Sequence, residues 1–329
     1  MFRIDSISRF STAVLVTATI ACSDDRAPMA PASVSATSAV QVNGAPSGAP
    51  ANGRIVFTLP GGSFDLDIYS INPDGTDRRQ LTSGAASDAS PAVSPDGRKI
   101  AFTRLEPGGK EEIYVMNADG SRLRKLTAFG PDGRALDPAW SPDGKRIAFS
   151  GERAGDGETD IFVMSANGRN VVSLTDLEPT DGVDDEEPTW SPDGRRIAFT
   201  RRRALIGDVM VMNADGSGLE AFSACSTGVC RSPSWSPDGT RIAYENASGL
   251  GTTTLDVKSF GQPAQQIATD IRRAHGGPAW APDGTKIVYP GFLTVEGSPQ
   301  AVLVTIAPNG IGAKPVTASI GGTFPVWGR

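Results

Sequence analysis

Short apolar runs separated by turn residues set the rhythm of the chain. Ile147-Ala148-Phe149 is followed by Ile161-Phe162-Val163-Met164 and then by Val171-Val172-Ser173-Leu174, with Pro, Asp, Gly, Asn and Ser between them. Runs this short, bounded by turn formers, predict strands and leave no room for long helices. The turn chemistry recurs: Ser-Pro-Asp-Gly stands at Ser94, Ser141, Ser191 and Ser236, and Ala-Pro-Asp-Gly at Ala281, at spacings of 47, 50, 45 and 45 residues. Proline presets φ at the first corner position and glycine tolerates the positive φ that follows. Asn117-Ala118-Asp119-Gly120-Ser121 and Asn213-Ala214-Asp215-Gly216-Ser217 mark a second turn in the same unit.

Each unit therefore reads as four strands, a to d. Strand a carries Pro-x-Trp, the Pro-Asp-Gly turn leads to strand b (Arg-Ile-Ala-Phe), strand c follows (Ile-Tyr-Val-Met), and strand d holds Leu-Arg-Lys-Leu-Thr. A four-stranded sheet of this length cannot bury both faces alone, so consecutive copies must stack, and the closed solution is a β-propeller. Arg54 to Thr58 is a strand b with no strand a before it, and Phe324-Pro325-Val326-Trp327 is a strand a at the other end. Pairing them with strands at 67–71 and 78–82 predicts an all-β, six-bladed propeller of four-stranded antiparallel blades over 53–329, its first blade closed by the C-terminal strand and no edge left open.

Residues 1–22 change the picture of where the protein works. Arg3 and Arg9 precede a short apolar run from Phe10 to Ala21, the pattern of an export signal and too short to span a bilayer. The run ends Thr19-Ile20-Ala21-Cys22-Ser23, similar to a bacterial lipobox, so Cys22 is the expected lipidation site; Thr19 departs from the usual leucine and keeps a soluble secreted form as the alternative. Residues 23–52, rich in Ala, Pro, Ser and Gly, are expected to be a disordered tether. The expected location is the periplasm or cell surface, anchored to the outer membrane.

The formal net charge of −6, with no basic stripe interleaved with aromatics, argues against nucleic acid as a partner. Cys225 and Cys230 are the only cysteines besides Cys22, and a local disulfide is the preferred reading; a metal site would need further thiol or imidazole ligands, and His275 is the only histidine.

The pattern Trp-Ser-Pro-Asp-Gly plus Ile-Ala-Phe, with Asn-Ala-Asp-Gly-Ser and Leu-Thr downstream, resembles the repeat of TolB-like propellers over residues 53–329. That family includes a periplasmic protein whose propeller binds a peptidoglycan-associated lipoprotein and colicins behind an N-terminal α/β domain, where this chain has only the tether. The repeat is also similar to the propeller half of prolyl-oligopeptidase-like peptidases, but the chain has no hydrolase domain and no Gly-x-Ser-x-Gly elbow.

Positions that recur in every blade are most simply architectural. Asp96, Asp143, Asp193, Asp238 and Asp283 are expected to cap their turns, and Trp140, Trp190, Trp235, Trp280 and Trp327 to pack between blades. Function is sought where blades differ, in the d–a loops approximated as 83–90, 128–137, 176–187, 224–232, 270–277 and 319–324, which share one end of the ring with the b–c loops. The stretch 176–187 holds Asp176, Glu178, Asp181, Asp184, Asp185, Glu186 and Glu187, read as a solvated acidic loop partly neutralised by Arg201, Arg202 and Arg203, with a structural cation or a basic partner as the alternative. The candidate partner-binding residues are Asp88, Arg134, Asp137, Asp184, Asp185, Glu187, Arg231, Arg272 and His275. No cofactor and no catalytic residue is nominated. The expected function is non-catalytic binding of an envelope protein or peptide by a monomer that touches the membrane through its lipid anchor only; glycan or small-ligand binding in the channel, or a hydrolase or lyase, are the alternatives.

Overall fold

The computed structural model describes residues 53–61, 65–130, 132–153, 157–175, 182–223, 225, 228–247, 253–269, 276–295, 298–316 and 322–328. The expectations for residues 1–52, Cys22 among them, lie outside the described residues.

The described residues form 24 strands. Blade 1 starts with β1 (Ile55–Pro60), β2 (Leu66–Ile71) and β3 (Arg79–Gln80), and blade 2 holds β4 (Ser87–Val93), β5 (Lys99–Leu105), β6 (Glu111–Asn117) and β7 (Arg124–Lys125). Blade 3 holds β8 (Arg134–Trp140), β9 (Arg146–Glu152), β10 (Asp160–Ser165) and β11 (Val172–Ser173). Blade 4 holds β12 (Val183–Trp190), β13 (Arg196–Arg203), β14 (Ile206–Asn213) and β15 (Glu220–Ser223). Blade 5 holds β16 (Val229–Trp235), β17 (Arg241–Ala247), β18 (Thr253–Ser259) and β19 (Gln265–Ala268). Blade 6 holds β20 (Ala279–Trp280), β21 (Ile287–Val295), β22 (Ser298–Ile306) and β23 (Lys314–Val316), after which β24 (Thr323–Trp327) pairs antiparallel with β1 in the order β24-β1-β2-β3. Blades 4 and 5 are joined into one eight-stranded sheet by a single parallel bridge between Gly207 and Val229.

The repeated residues explain the local structure. In each Ser-Pro-Asp-Gly turn the serine hydroxyl donates to the aspartate, as Ser141 Oγ does to Asp143 Oδ1 at 2.6 Å, while the same carboxylate accepts the Lys145 amide at 3.0 Å. These bonds hold the Asp143 carboxyl below its usual range, the serine bond being the larger cause. Gly144, at φ 67°, brings its turn against Pro95 of the preceding blade. Strands β3, β7 and β11 are two residues long, and the leucine that follows each still donates its amide to strand c, Leu81 to Ile68, Leu126 to Ile113 and Leu174 to Ile161. Thr127 Oγ1 accepts the Ile113 amide at 2.9 Å and donates to Glu112 at 2.6 Å, tying the end of strand d to the start of strand c.

Six apolar clusters fill the six seams. Ala101, Ile113, Ala135, Phe149 and Phe162, for example, join blades 2 and 3, and Ile55, Phe57, Ala279, Val288 and Trp327 join blade 1 to blade 6 and so close the ring. Phe57, Phe102, Phe149 and Phe199 are fully buried at the same repeat position, each the kind of side chain whose truncation costs about 3–5 kcal/mol. The tryptophans lock the seams directionally: Nε1 of Trp140, Trp190 and Trp280 donates to the carbonyls of Ala92, Ala139 and Ser234 in the blade before, at 3.2, 3.2 and 3.1 Å. Arg146 and Arg196 stack on Trp190 and Trp235 from the preceding blade at 4.4 and 4.9 Å.

Candidate site at the channel mouth

The innermost strand carries a proline in five blades, and in blade 6 Pro278 directly precedes β20; a proline cannot donate to a ladder, and an inner edge facing a channel is a place where that costs nothing. A proline by itself favours extended backbone at the residue before it, so the conformation found there belongs to the bulge and not to the proline. Ser90, Asp137, Glu187, Ser232 and Phe324 all adopt left-handed φ between 48° and 56°, and the register of the a–b pairing shifts at each of these positions. A bulge repeated at the same place turns one side chain per blade toward the axis. In blade 6 the equivalent residue is Gly277, where a Cβ would fall 2.2 Å from Ser232 Cβ.

These residues line a cavity of about 290 Å³ together with the six prolines that follow them. The wall behind them is built from hydroxyls of strand b in the neighbouring blade. The amides of Asp137, Glu187 and Ser232 donate to Thr103 Oγ1, Ser150 Oγ and Thr200 Oγ1, each at 3.0 Å. Glu187 in turn accepts from the Ser232 amide at 2.7 Å, Ser232 Oγ at 3.0 Å and Thr200 Oγ1 at 2.8 Å, spanning blades 4 and 5. Asp137 accepts from Ser90 Oγ at 2.8 Å.

Blade 5 breaks this pattern. Glu245 stands where blades 2, 3 and 4 place Thr103, Ser150 and Thr200, in register with Arg231, whose Nε donates to it at 2.8 Å. The residue is 4% exposed. Burial pushes its pKa up to about 7 against the opposing pull of Arg231, with the Glu187 charge adding to the rise.

The structure moves several expected loop residues into strands. Asp88, Asp184, Asp185, Glu187 and Arg231 lie in β4, β12 and β16, because strand a starts well before the Pro-x-Trp signature that marks it in the sequence. Asp88 and Asp185 are sealed in side-on pairs, with Arg104 at 2.6 and 2.7 Å and with Arg201 at 2.8 and 2.7 Å, so their carboxylates brace the a–b pairing inside the blade. The arginines expected to neutralise the acidic stretch from a b–c loop do so from strand β13, Asp184 meeting Arg202 at 3.2 Å. Arg134 pairs with Glu152 at 2.6 Å on the same rim. Of the candidate set, Asp137 and Glu187 reach the cavity; Arg272, His275, Asp176, Glu178 and Asp181 lie outside the described residues. Among the described residues no group of three or more His, Cys, Asp or Glu could hold a metal ion. Cys225 and Cys230 are bonded to one another in the crossover from blade 4 to blade 5, where the Cys225 amide also donates to Asp208 at 2.9 Å.

Sequence reasoning passed over Ser90, Ser232 and Glu245. Ser90 and Ser232 share one signal, the residue immediately before the proline that stands two positions ahead of the tryptophan or its equivalent Val93. Glu245 is visible only by alignment of Ala-Phe-Thr, Ala-Phe-Ser and Ala-Tyr-Glu between blades.

No curated protein sequence is significantly similar to the chain. Among solved structures it is similar to TolB from Acinetobacter baumannii, with a TM-score of 0.69 and 21% identity over 84% of this chain and 66% of that one. The putative TolB from Agrobacterium tumefaciens gives 0.63 and 20% over 82% of this chain and 91% of that one. An oligogalacturonate lyase from Vibrio parahaemolyticus gives 0.53 and 12%, covering 81% and 79% respectively. At such identities the likeness is one of fold. The family model for the TolB beta propeller domain matches residues 30–135 and 128–329, and the chain therefore belongs to the TolB β-propeller family.

Proposed function

We propose that this propeller is a non-catalytic binding protein of the bacterial envelope whose d–a end receives another protein or an extended peptide at the channel mouth. The observation that carries this reading is the division of labour along the repeat. The turn aspartates, the seam tryptophans and the strand-b phenylalanines are all used up by architecture, whereas the bulged position on the axis carries Ser90, Asp137, Glu187, Ser232, a glycine and Phe324 in turn. A wall that presents two carboxylates, two hydroxyls and one aromatic ring around a glycine gap is chemically uneven, and uneven walls discriminate between partners. Glu187 accepts from Ser232 across the seam and from Thr200 in its own blade, and Glu245 is buried against Arg231 outside the cavity lining, arrangements that suit positioning of the wall.

Family membership and the signal-like residues 1–22 support an exported protein, and the lipobox-like end at Cys22 supports anchorage to the outer membrane. The test is a photo-crosslinking amino acid introduced at Ser90, at the cavity, and at Thr285, in a turn of the opposite end, in cells making the full chain. A protein captured from Ser90 alone, and released when Asp137→Arg is added, supports the reading. Capture of a small glycan fragment, or equal capture at both positions, refutes it.

A further inference from the structure

Five of the six strand-a ends carry tryptophan, and blade 2 carries Val93 in its place. The indole has three roles in its own seam. It fills the end of the seam, and Trp190, Trp235, Trp280 and Trp327 are only 6–7% exposed. For Trp140, Trp190 and Trp280 its Nε1 donates to the blade before, to the carbonyl one position ahead of the matching strand end. It also carries a cation on its face: Arg146, Arg196 and Arg241, each opening strand b of the blade before, lie 4.4, 4.9 and 4.8 Å from the rings of Trp190, Trp235 and Trp280.

Between blades 1 and 2 the surroundings of that ring are kept and the ring itself is replaced. The carbonyl at the acceptor position is that of Val326, and the residue leading into strand b is again an arginine, Arg54. With no indole beside it, Arg54 bonds within its own blade, to Ser70, Asn72 and Asp77 at 3.1, 2.9 and 2.8 Å. Val93 is half-buried, and the cavity that begins at the mouth extends to Val93 and Val326. Blade 1 is built from β24 and β1, so no Pro-Asp-Gly turn joins its strands a and b over this seam.

We propose that the turn end of the seam between blades 1 and 2 is a slot for an indole ring, presented by a tryptophan side chain of a partner polypeptide. The ring lies against Val93, directs its Nε1 to the Val326 carbonyl and takes Arg54 over its face, as the rings of the other seams take theirs. The occupant is argued from the chain itself, whose five other seams show which side chain this repeat position holds. Tryptophan in a close-fitting pocket is also the side chain that contributes most strongly at protein interfaces. The slot lies at the end of the ring opposite the bulged residues and does not depend on what they receive.

The test is isothermal titration of the full chain with N-acetyl-tryptophanamide and, for comparison, N-acetyl-leucinamide. It is run on the parent and on Val93→Trp, which supplies the ring from the chain itself. The parent should bind the tryptophan compound with a Kd of about 1 mM, the range open to so few ligand atoms, and the leucine compound roughly 10-fold more weakly. Val93→Trp should lose that binding and melt at a higher temperature than the parent. A lower melting temperature for Val93→Trp means that the seam has no room for a ring and overturns the proposal. Absence of binding, or equal binding of the two compounds or by the two chains, overturns it as well. A parent that binds neither compound and melts lower when residues 46–52 are replaced by glycine and serine assigns the slot to the chain's own lead-in to Gly53. A dimer that Val93→Trp dissociates assigns it to a second copy. Either result also overturns the proposal.

Discussion

Glu245 ties the wall of the channel mouth to pH. Its carboxyl has a folded-state pKa of about 7 against an ordinary value of 4.5, so between those values the folded protein holds a proton that the unfolded chain has released. Stability from this group is therefore fully present at low pH and is lost as pH rises through about 7. At ~1.4 kcal/mol per unit the loss amounts to roughly 3 kcal/mol between pH 4.5 and pH 8, because desolvation of the ion outweighs the 2.8 Å contact with Arg231. The perturbation is Glu245→Gln, which keeps shape and a hydrogen-bond acceptor for Arg231 but cannot ionise. Urea unfolding of the parent and the variant across that range isolates the group, since every other titration is common to both. The advantage of glutamine over glutamate should grow with pH by about 3 kcal/mol. A difference that stays constant, or that moves in favour of glutamate as pH rises, refutes the reasoning and means that the Arg231 pair dominates.

Two other outcomes follow from the ring. Trp327→Ala removes the indole that β24 inserts between blades 1 and 6 and the bond from its Nε1 to the Gly53 carbonyl at 3.2 Å; a loss of about 3–5 kcal/mol in chemical denaturation is expected, and a loss under 1 kcal/mol would mean that β24 does not close the ring. Replacing Cys225 and Cys230 by serine opens the crossover between blades 4 and 5. For so short a loop the cost should be about 2 kcal/mol, read as a lowered melting temperature that a thiol reductant reproduces in the parent protein and leaves unchanged in the variant.

How much of this was legible before folding depends on the range of the forces involved. The Pro-Asp-Gly turns, strands b and c and the sixth blade could be read directly, because turn chemistry and the Ile-Ala-Phe run act over a few residues and repeat at 45 to 50. The start of strand a could not. Ser87, Arg134 and Val183 enter strands because they pair with Leu105, Glu152 and Arg203 opposite, and a polar strand of that kind looks like a loop when its partner is out of view. Asp88 and Asp185, which look like surface acids in the sequence, are buried for the same reason, each held by an arginine 16 residues away.

The sequence by itself determined the architecture: a repeated four-stranded unit that cannot bury both of its faces leaves the chain no way to bury its phenylalanines except by stacking copies and closing them. Only the tertiary structure decided what the ring brings together. Ser90, Asp137, Glu187, Ser232 and Phe324 meet around one cavity although no two are neighbours along the chain. Closure of a propeller turns a period along the sequence into an angle around an axis, so residues at equal phase become neighbours in space whatever their separation in the chain.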